Sequence, residues 1–327
     1  MSIEKIPFII AEIAQGYEGK ENLVGDFLKA AHRSGAEAIK FQIFHADELA
    51  LPDYKYYQLF KSLELPLKVW EKALKEAHDK GLEFYSDVFG IESFKELQEI
   101  GIDGFKIHTT DINNINLLKE ISSSRKKVFL STGGCSQDEV SQALRILEKS
   151  EVVLMYGFQA EPTDIGDNNL NRITTINSIF KKPVGFQDHT LGNSQLALYL
   201  PFIALGAGAV VFEKHLTLSR KLKLEDYISA LEPDEFKAWA ENLRRAYFAC
   251  GSKDWKLSSK EIEYRNKVKR AVCSLDEIKP GDQIKETDLV LKRSDSLEAI
   301  FEISKVYGKK AAKAIAKNSI IGKGDIL

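Results

Sequence analysis

The chain is short of cysteine, shows no excess of either charge and has no long apolar run, and each shortage removes a class of protein. Three cysteines, Cys135, Cys250 and Cys273, are scattered through 327 residues. Their odd number and wide spacing offer no disulfide framework and suit a reducing compartment, so a cytoplasmic location is expected. Lys and Arg number 46 against 48 Asp and Glu. That balance leaves no overall basic field to draw in nucleic acid or an anionic membrane, and neither is expected as a partner. Nor does any window reach the roughly 18 uninterrupted apolar residues of a membrane span. The longest candidate, Leu196 to Val211, is interrupted by Pro201, Gly206 and Gly208 and is better read as a buried helix followed by a strand. Residues Met1 to Pro7 lack the basic and apolar stretches of a signal peptide.

What the chain does have is alternation. Short β-branched runs, each followed by a segment of helical periodicity, are the pattern of parallel βα units. Strands are expected at Phe8–Ala14, Ala38–Ile43, Glu83–Ser86, Gly104–Ile107, Lys127–Ser131, Val152–Tyr156, Val184–Phe186 and Ala209–Glu213. Between them, segments such as Glu21–Ser34, Leu67–Lys80, Ile91–Ile100, Gln137–Lys149 and Leu170–Phe180 place apolar residues on one helical face. Gly35, Gly81 and Gly101 stand where left-handed helix caps are wanted. Eight such units without a glycine-rich dinucleotide turn favour closure into a (β/α)₈ TIM barrel over an open doubly wound sheet. A barrel needs about 250 residues, which leaves room for a small second module. The expected division is a catalytic barrel over residues 1–256, a charged linker over 257–269 and a β-rich domain over 270–327, with turns at Pro280-Gly281 and Gly322-Lys323-Gly324.

Catalytic groups of such barrels stand at the C-terminal ends of the strands, where the loops share one mouth. Here those ends carry Glu12, Gln15, Lys40, Gln42, Ser86, Asp87, Lys106, His108, Thr109, Ser131, Thr132, Asp188, His189, Glu213, Lys214 and His215. Any one of them has a bland reading, since a strand-end lysine usually snorkels and a lone histidine usually sits satisfied in a core. Coincidence over seven strand ends points instead to a functional mouth. His189 and His215 end consecutive strands, and imidazoles beside carboxylates suit a borderline divalent ion such as Mn²⁺, Zn²⁺ or Fe²⁺. Two structural histidines remain the other reading of that spacing. Lys40 and Lys106, with Ser131, Thr132 and the Gly133-Gly134 turn, suit a phosphate or carboxylate.

At these positions the sequence resembles the sialic acid synthase family, nearly end to end. The matching pieces are Ile10-Ala11-Glu12-Ile13, Lys40-Phe41-Gln42, Phe105-Lys106-Ile107, Ser131-Thr132-Gly133, Asp188-His189-Thr190-Leu191-Gly192 and Glu213-Lys214-His215-Leu216-Thr217. The resemblance implies an enzyme that condenses phosphoenolpyruvate with an N-acylated mannose-type amino sugar to give a nonulosonic acid and phosphate. It implies His189 and His215 as ligands of a divalent metal, Mn²⁺ first, with Mg²⁺ or Co²⁺ as alternatives. Glu12, Glu213 and Asp226 are the implied catalytic acids. Lys40, Gln42, Ser86, Lys106, Thr109, Ser131, Gln159, Gln187 and Asp188 would hold substrates. The tail resembles the family's antifreeze-like (SAF) domain, and in the resulting domain-swapped homodimer Arg293 would reach the partner's sugar. The chain departs from the family pattern at Gln15-Gly16-Tyr17, Asp87, His108, Gln159, Glu161 and Gln187. Two other readings stand beside this one: a class I aldolase with Lys106 or Lys214 as Schiff base, and a sugar-binding barrel without chemistry.

Overall fold

The computed structural model describes residues 7–157, 160–296 and 298–327, in two compact units, Met1–Gly251 and Ser252–Leu327. In the first unit eight parallel strands close into a barrel in sequence order. They are β1 (Phe8–Ala14), β2 (Ala38–Gln42), β3 (Glu83–Asp87), β4 (Gly104–Ile107), β5 (Lys127–Ser131), β6 (Glu151–Tyr156), β7 (Val184–Asp188) and β8 (Val211–His215). The helices of this unit are α1 (Glu21–Arg33), α2 (Ala46–Leu49), α3 (Tyr57–Leu63), α4 (Leu67–Asp79), α5 (Ile91–Glu99), α6 (Ile115–Ser124), α7 (Gln137–Ile146), α8 (Asn171–Phe180), α9 (Leu196–Gly206) and α10 (Pro233–Cys250). Among the described residues, no helix is long and apolar enough to cross a membrane.

The barrel has two cores, and the strand period of two separates them. Phe8, Ile10, Ala38, Tyr85, Phe129, Val153, Met155 and Val211 pack inside the barrel. Their sequence neighbours, such as Ile9, Ile39, Phe84, Val128 and Phe212, pack outward with Val24, Phe27, Leu28, Trp70 and Leu117 of the helices. Trp70 of α4 meets Tyr17 and Phe41 at 5.1 and 5.4 Å between ring centroids, so Trp70→Ala would remove about 3–5 kcal/mol of packing. The helix ends follow from local chemistry. Gly35 and Gly81 take φ of +74° and +75° after α1 and α4, turns that a Cβ would strain. The Ser136–Glu139 capping box starts α7.

Helix α9 departs from the expected buried helix. Tyr199 and Ile203 are 53% and 56% exposed, because a barrel helix buries only the face it lays on the strands. The segment read as a linker also holds a helix, α11 (Ser259–Val268), begun by a Ser258–Glu261 capping box that its polar sequence did not advertise. Within the second unit β9 (Ala271–Ser274) pairs antiparallel with β10 (Leu289–Lys292). Isolated bridges such as Ile278 with Ile315 and Ala299 with Gly322 fold the rest around Val272, Ile284, Ile300, Val306 and Ile321.

Candidate active site

Two residues beyond the inner apolar core, each strand presents its next inward side chain, and together these make one layer at the mouth. The layer is Glu12, Lys40, Asp87, Lys106, Ser131, Gly157, Gln187 and Glu213, one from each strand or the residue just past it. Register supports the grouping, since Glu12 lies beside Lys40, Asp87 beside Lys106 and Gln187 beside Glu213. Gly157 is needed at its place because a Cβ there would lie 2.1 Å from the Gln187 carbonyl oxygen.

The charged members are buried and interlocked. Lys40 Nζ contacts both Glu12 Oε2 and Asp87 Oδ2 and stands 3.9 Å from Glu213 Oε2. Lys106 Nζ meets Glu213 Oε1 at 2.5 Å. Ser131 Oγ donates to Gln187 Oε1 at 2.9 Å, while Gln187 Nε2 has no hydrogen-bond partner among the described residues. Burial pushes Glu12 up to about 8 against the pull of Lys40, so it carries its proton near neutrality. Burial acts the same way on Asp87, but Lys40 and Lys106 outweigh it and hold this carboxyl below its ordinary range.

One further step along β7 and β8 come the histidines. The rings of His189 and His215 lie 5.4 Å apart between centroids at 54°. Burial holds both below their ordinary values, His189 at about 4, with Lys106 adding to the effect at His189 and His189 itself adding to it at His215. Both rings are therefore neutral near pH 7, as a metal ligand must be. His189 Nδ1 is buried without a hydrogen-bond partner among the described residues. Around His215, a nitrogen of its ring and oxygens of Glu161 and Asp226 lie within 4.8 Å of one another. Asp226 Oδ2 is 3.8 Å from His215 Nδ1, and Asp226 adopts φ +59° in the loop after β8. Burial and the neighbouring Glu161 push Asp226 up to about 9, and Ser229 Oγ donates to Glu161 Oε1. Two crowded carboxyls beside neutral imidazoles form a donor set that a divalent cation would satisfy.

A scan against family models matches residues 27–255 to the NeuB family. The chain belongs to the NeuB family. Its relatives include the N,N'-diacetyllegionaminic acid synthase of Legionella pneumophila, 30% identical over 96% of this chain and 93% of that protein. The pseudaminic acid synthase of Campylobacter jejuni is 29% identical over 98% of this chain and 97% of its own length. Among solved structures, an N-acetylneuraminic acid (sialic acid) synthetase from Leptospira borgpetersenii superposes with a TM-score of 0.75 at 30% identity, covering 81% of this chain and 93% of that one.

Not every residue assigned from sequence stands in this NeuB-family mouth. Ser86 faces outward: its hydroxyl donates to the Asp87 carbonyl and accepts from the Ile43 amide, and Asp87 takes the inward place. Asp188 faces outward too. Its Oδ2 pairs with Lys214 Nζ at 3.0 Å and its Oδ1 accepts from the Thr190 amide and hydroxyl at 2.8 and 2.6 Å. Lys214, one of the two lysines considered for a Schiff base, is buried on that same outer side. Gln42 sits one step above Lys40, its Oε1 accepting from Gln15 Nε2 at 2.9 Å. Thr109 begins a single 3₁₀ turn after β4, its hydroxyl buried without a partner among the described residues. Thr132 is taken up by the Met155 carbonyl at 3.0 Å. Gln159 lies outside the described residues, and Arg293 is exposed in the second unit just after β10. Asp87, read from the sequence as a strand-end group and as a departure but not assigned a role, and Glu161, noted only as a departure, enter the site. Once the fold shows Tyr85 inside the barrel, counting by twos leads to Asp87, whereas Glu161 comes from a loop with no period to count.

Proposed function

We propose that this chain condenses phosphoenolpyruvate with an N-acylated mannose-type amino sugar, giving a sialic acid-like nonulosonic acid and phosphate. The activities for which its relatives are named support the reading, and the layer of two lysines, Glu12 and Glu213 beneath a histidine pair is the observation that carries it. Lys40, Lys106, Ser131, Thr109 and Gln42 supply ammonium, hydroxyl and amide groups for the phosphate and carboxylate of the donor. The enol carbon bonds to the aldehyde carbon, water adds to the cationic carbon that results, and phosphate departs with its oxygen. Glu12, protonated near neutral pH, is placed to give or take the proton that these steps move, and Glu213 offsets the transient positive charge. Gln187 and Asp226 line the acceptor side.

The donor set fits a divalent metal, by the unpartnered His189 Nδ1 and the crowded Glu161 and Asp226 carboxyls. His189 and His215 would hold it, with Mn²⁺ as first choice and Mg²⁺ or Co²⁺ as alternatives. Bound there, the ion supplies polarisation of the aldehyde. The second unit fits the antifreeze-like (SAF) domain of a swapped homodimer in the cytoplasm, with Arg293 presented to the partner's sugar. Phosphate release from phosphoenolpyruvate, assayed with a panel of 2-acetamido mannose-type sugars and with metal omitted, tests the reading. A Schiff base trapped by borohydride, with turnover indifferent to EDTA, would replace it with the aldolase.

A further inference from the structure

The inner layer holds one more carboxyl than ammonium, and the extra one is Asp87. An ammonium has three donor positions, and Lys40 already directs Nζ to Glu12 Oε2 and Asp87 Oδ2 with Glu213 Oε2 3.9 Å away. With two positions filled and a third carboxylate close by, Lys40 has at most one hydrogen left for a donor that brings both a phosphate and a carboxylate, and it gains a second only if one of these groups leaves. Their anchorage differs. Glu12 is tied a second time, its Oε1 accepting from the Ala14 amide at 2.6 Å. Glu213 is shared between both lysines. Asp87 alone has a buried second oxygen, Oδ1, with neither a hydrogen bond nor an ion pair among the described residues.

We propose that Asp87 is a built-in competitor for the donor anion: its carboxylate occupies Lys40 in the free enzyme, and the donor binds by displacing it. This rests on the phosphoenolpyruvate reading above. The groups that face Asp87 are Glu12 from β1, Lys40 from β2, and Lys106 and His108 from β4 and its continuation, with Glu213 from β8 lying 3.9 Å from the same Lys40 ammonium. Burial favours the protonated acid while Lys40 and Lys106 favour the anion. Once the donor takes the lysines, the balance turns to burial, and Asp87 gains a proton as the donor enters. Asp87 thereby sets how tightly the donor is held and how readily a charged product leaves.

The test is calorimetric titration of the full chain with phosphoenolpyruvate near pH 7, in two buffers of different ionisation enthalpy, for the wild type, D87N and the uncharged, β-branched D87T. Melting curves check that each variant is folded. Removing the competing charge should tighten binding by a factor of about ten or more, or ~1.4 kcal/mol. The KM for the donor should fall in step while the KM for the sugar stays put. The wild type should take up protons on binding, and the variants fewer. Unchanged or weakened donor binding in a folded variant, alongside normal wild-type turnover, overturns the role of Asp87 alone. Should neither variant fold, donor binding by the wild type without proton uptake overturns it equally. A wild type that neither binds nor turns over phosphoenolpyruvate overturns the condensation reading and this proposal with it.

Discussion

Asp188 and Lys214 decide whether the Asp-His motif acts on substrate or builds the wall that carries it. Both side chains are fully buried on the outer face of β7 and β8, 3.0 Å apart. Lys214→Met strands the Asp188 carboxylate with only its two Thr190 hydrogen bonds, and an unpaired buried charge of this kind costs about 3–5 kcal/mol. For a unit of this size each kcal/mol lowers Tm by about 2–4 °C, so the fall should be roughly 6–20 °C. Asp188→Asn should cost less, because burial already holds Lys214 below its ordinary value and a lysine left alone can shed its proton. The double variant should recover most of the loss of Lys214→Met, since asparagine still accepts from Thr190 and no charge remains. Thermal melts of the four proteins give the cycle, and steady-state kinetics below all four transitions give the function. A Lys214→Met protein melting within about 2 °C of wild type would refute the reasoning. So would an Asp188→Asn protein whose Tm is unmoved but whose KM for a substrate rises.

Glu161→Gln should weaken Mn²⁺ binding, read by calorimetry, by about 10–100-fold, and His215→Ala by more; unchanged affinity in both would remove the metal assignment. Glu12 titrates from 4.5 to about 8 on folding, so the folded state binds the extra proton between those values. The contribution of Glu12 to stability against denaturant should therefore be fully present below pH 4.5, fall as pH rises toward 8 and then be lost, and Glu12→Gln should remove that component of the pH dependence. Ending the chain after Lys256 should leave a folded barrel, because Met1–Gly251 is compact by itself, yet cripple turnover if the second unit serves a partner's mouth. Full activity of the shortened chain would count against the swapped dimer.

The barrel was legible because its signals are local. Apolar runs of strand length and amphipathic helical segments, with glycines at three of the helix ends, mark the βα units within a few dozen residues, and β1, β4 and β5 end where the sequence places them. Helix α11 was less legible, since a polar helix has no apolar stripe and only its capping box betrays it. At the site, residue types carried the reading, and Lys40, Lys106, Glu12, Glu213 and both histidines meet as expected.

The amino-acid order by itself determined that eight βα units form and which chemical groups stand at their ends. Only closure of the barrel decided which of two adjacent residues faces the mouth. Asp87 rather than Ser86, Gln187 rather than Asp188 and Glu213 rather than Lys214 turn inward. Strand side chains alternate, so a shift of one residue in strand register exchanges the two faces, and register is set by pairing with strands distant in sequence. The meeting of Glu161 and Asp226 at His215 likewise needed the loops after β6 and β8 to be brought together in space.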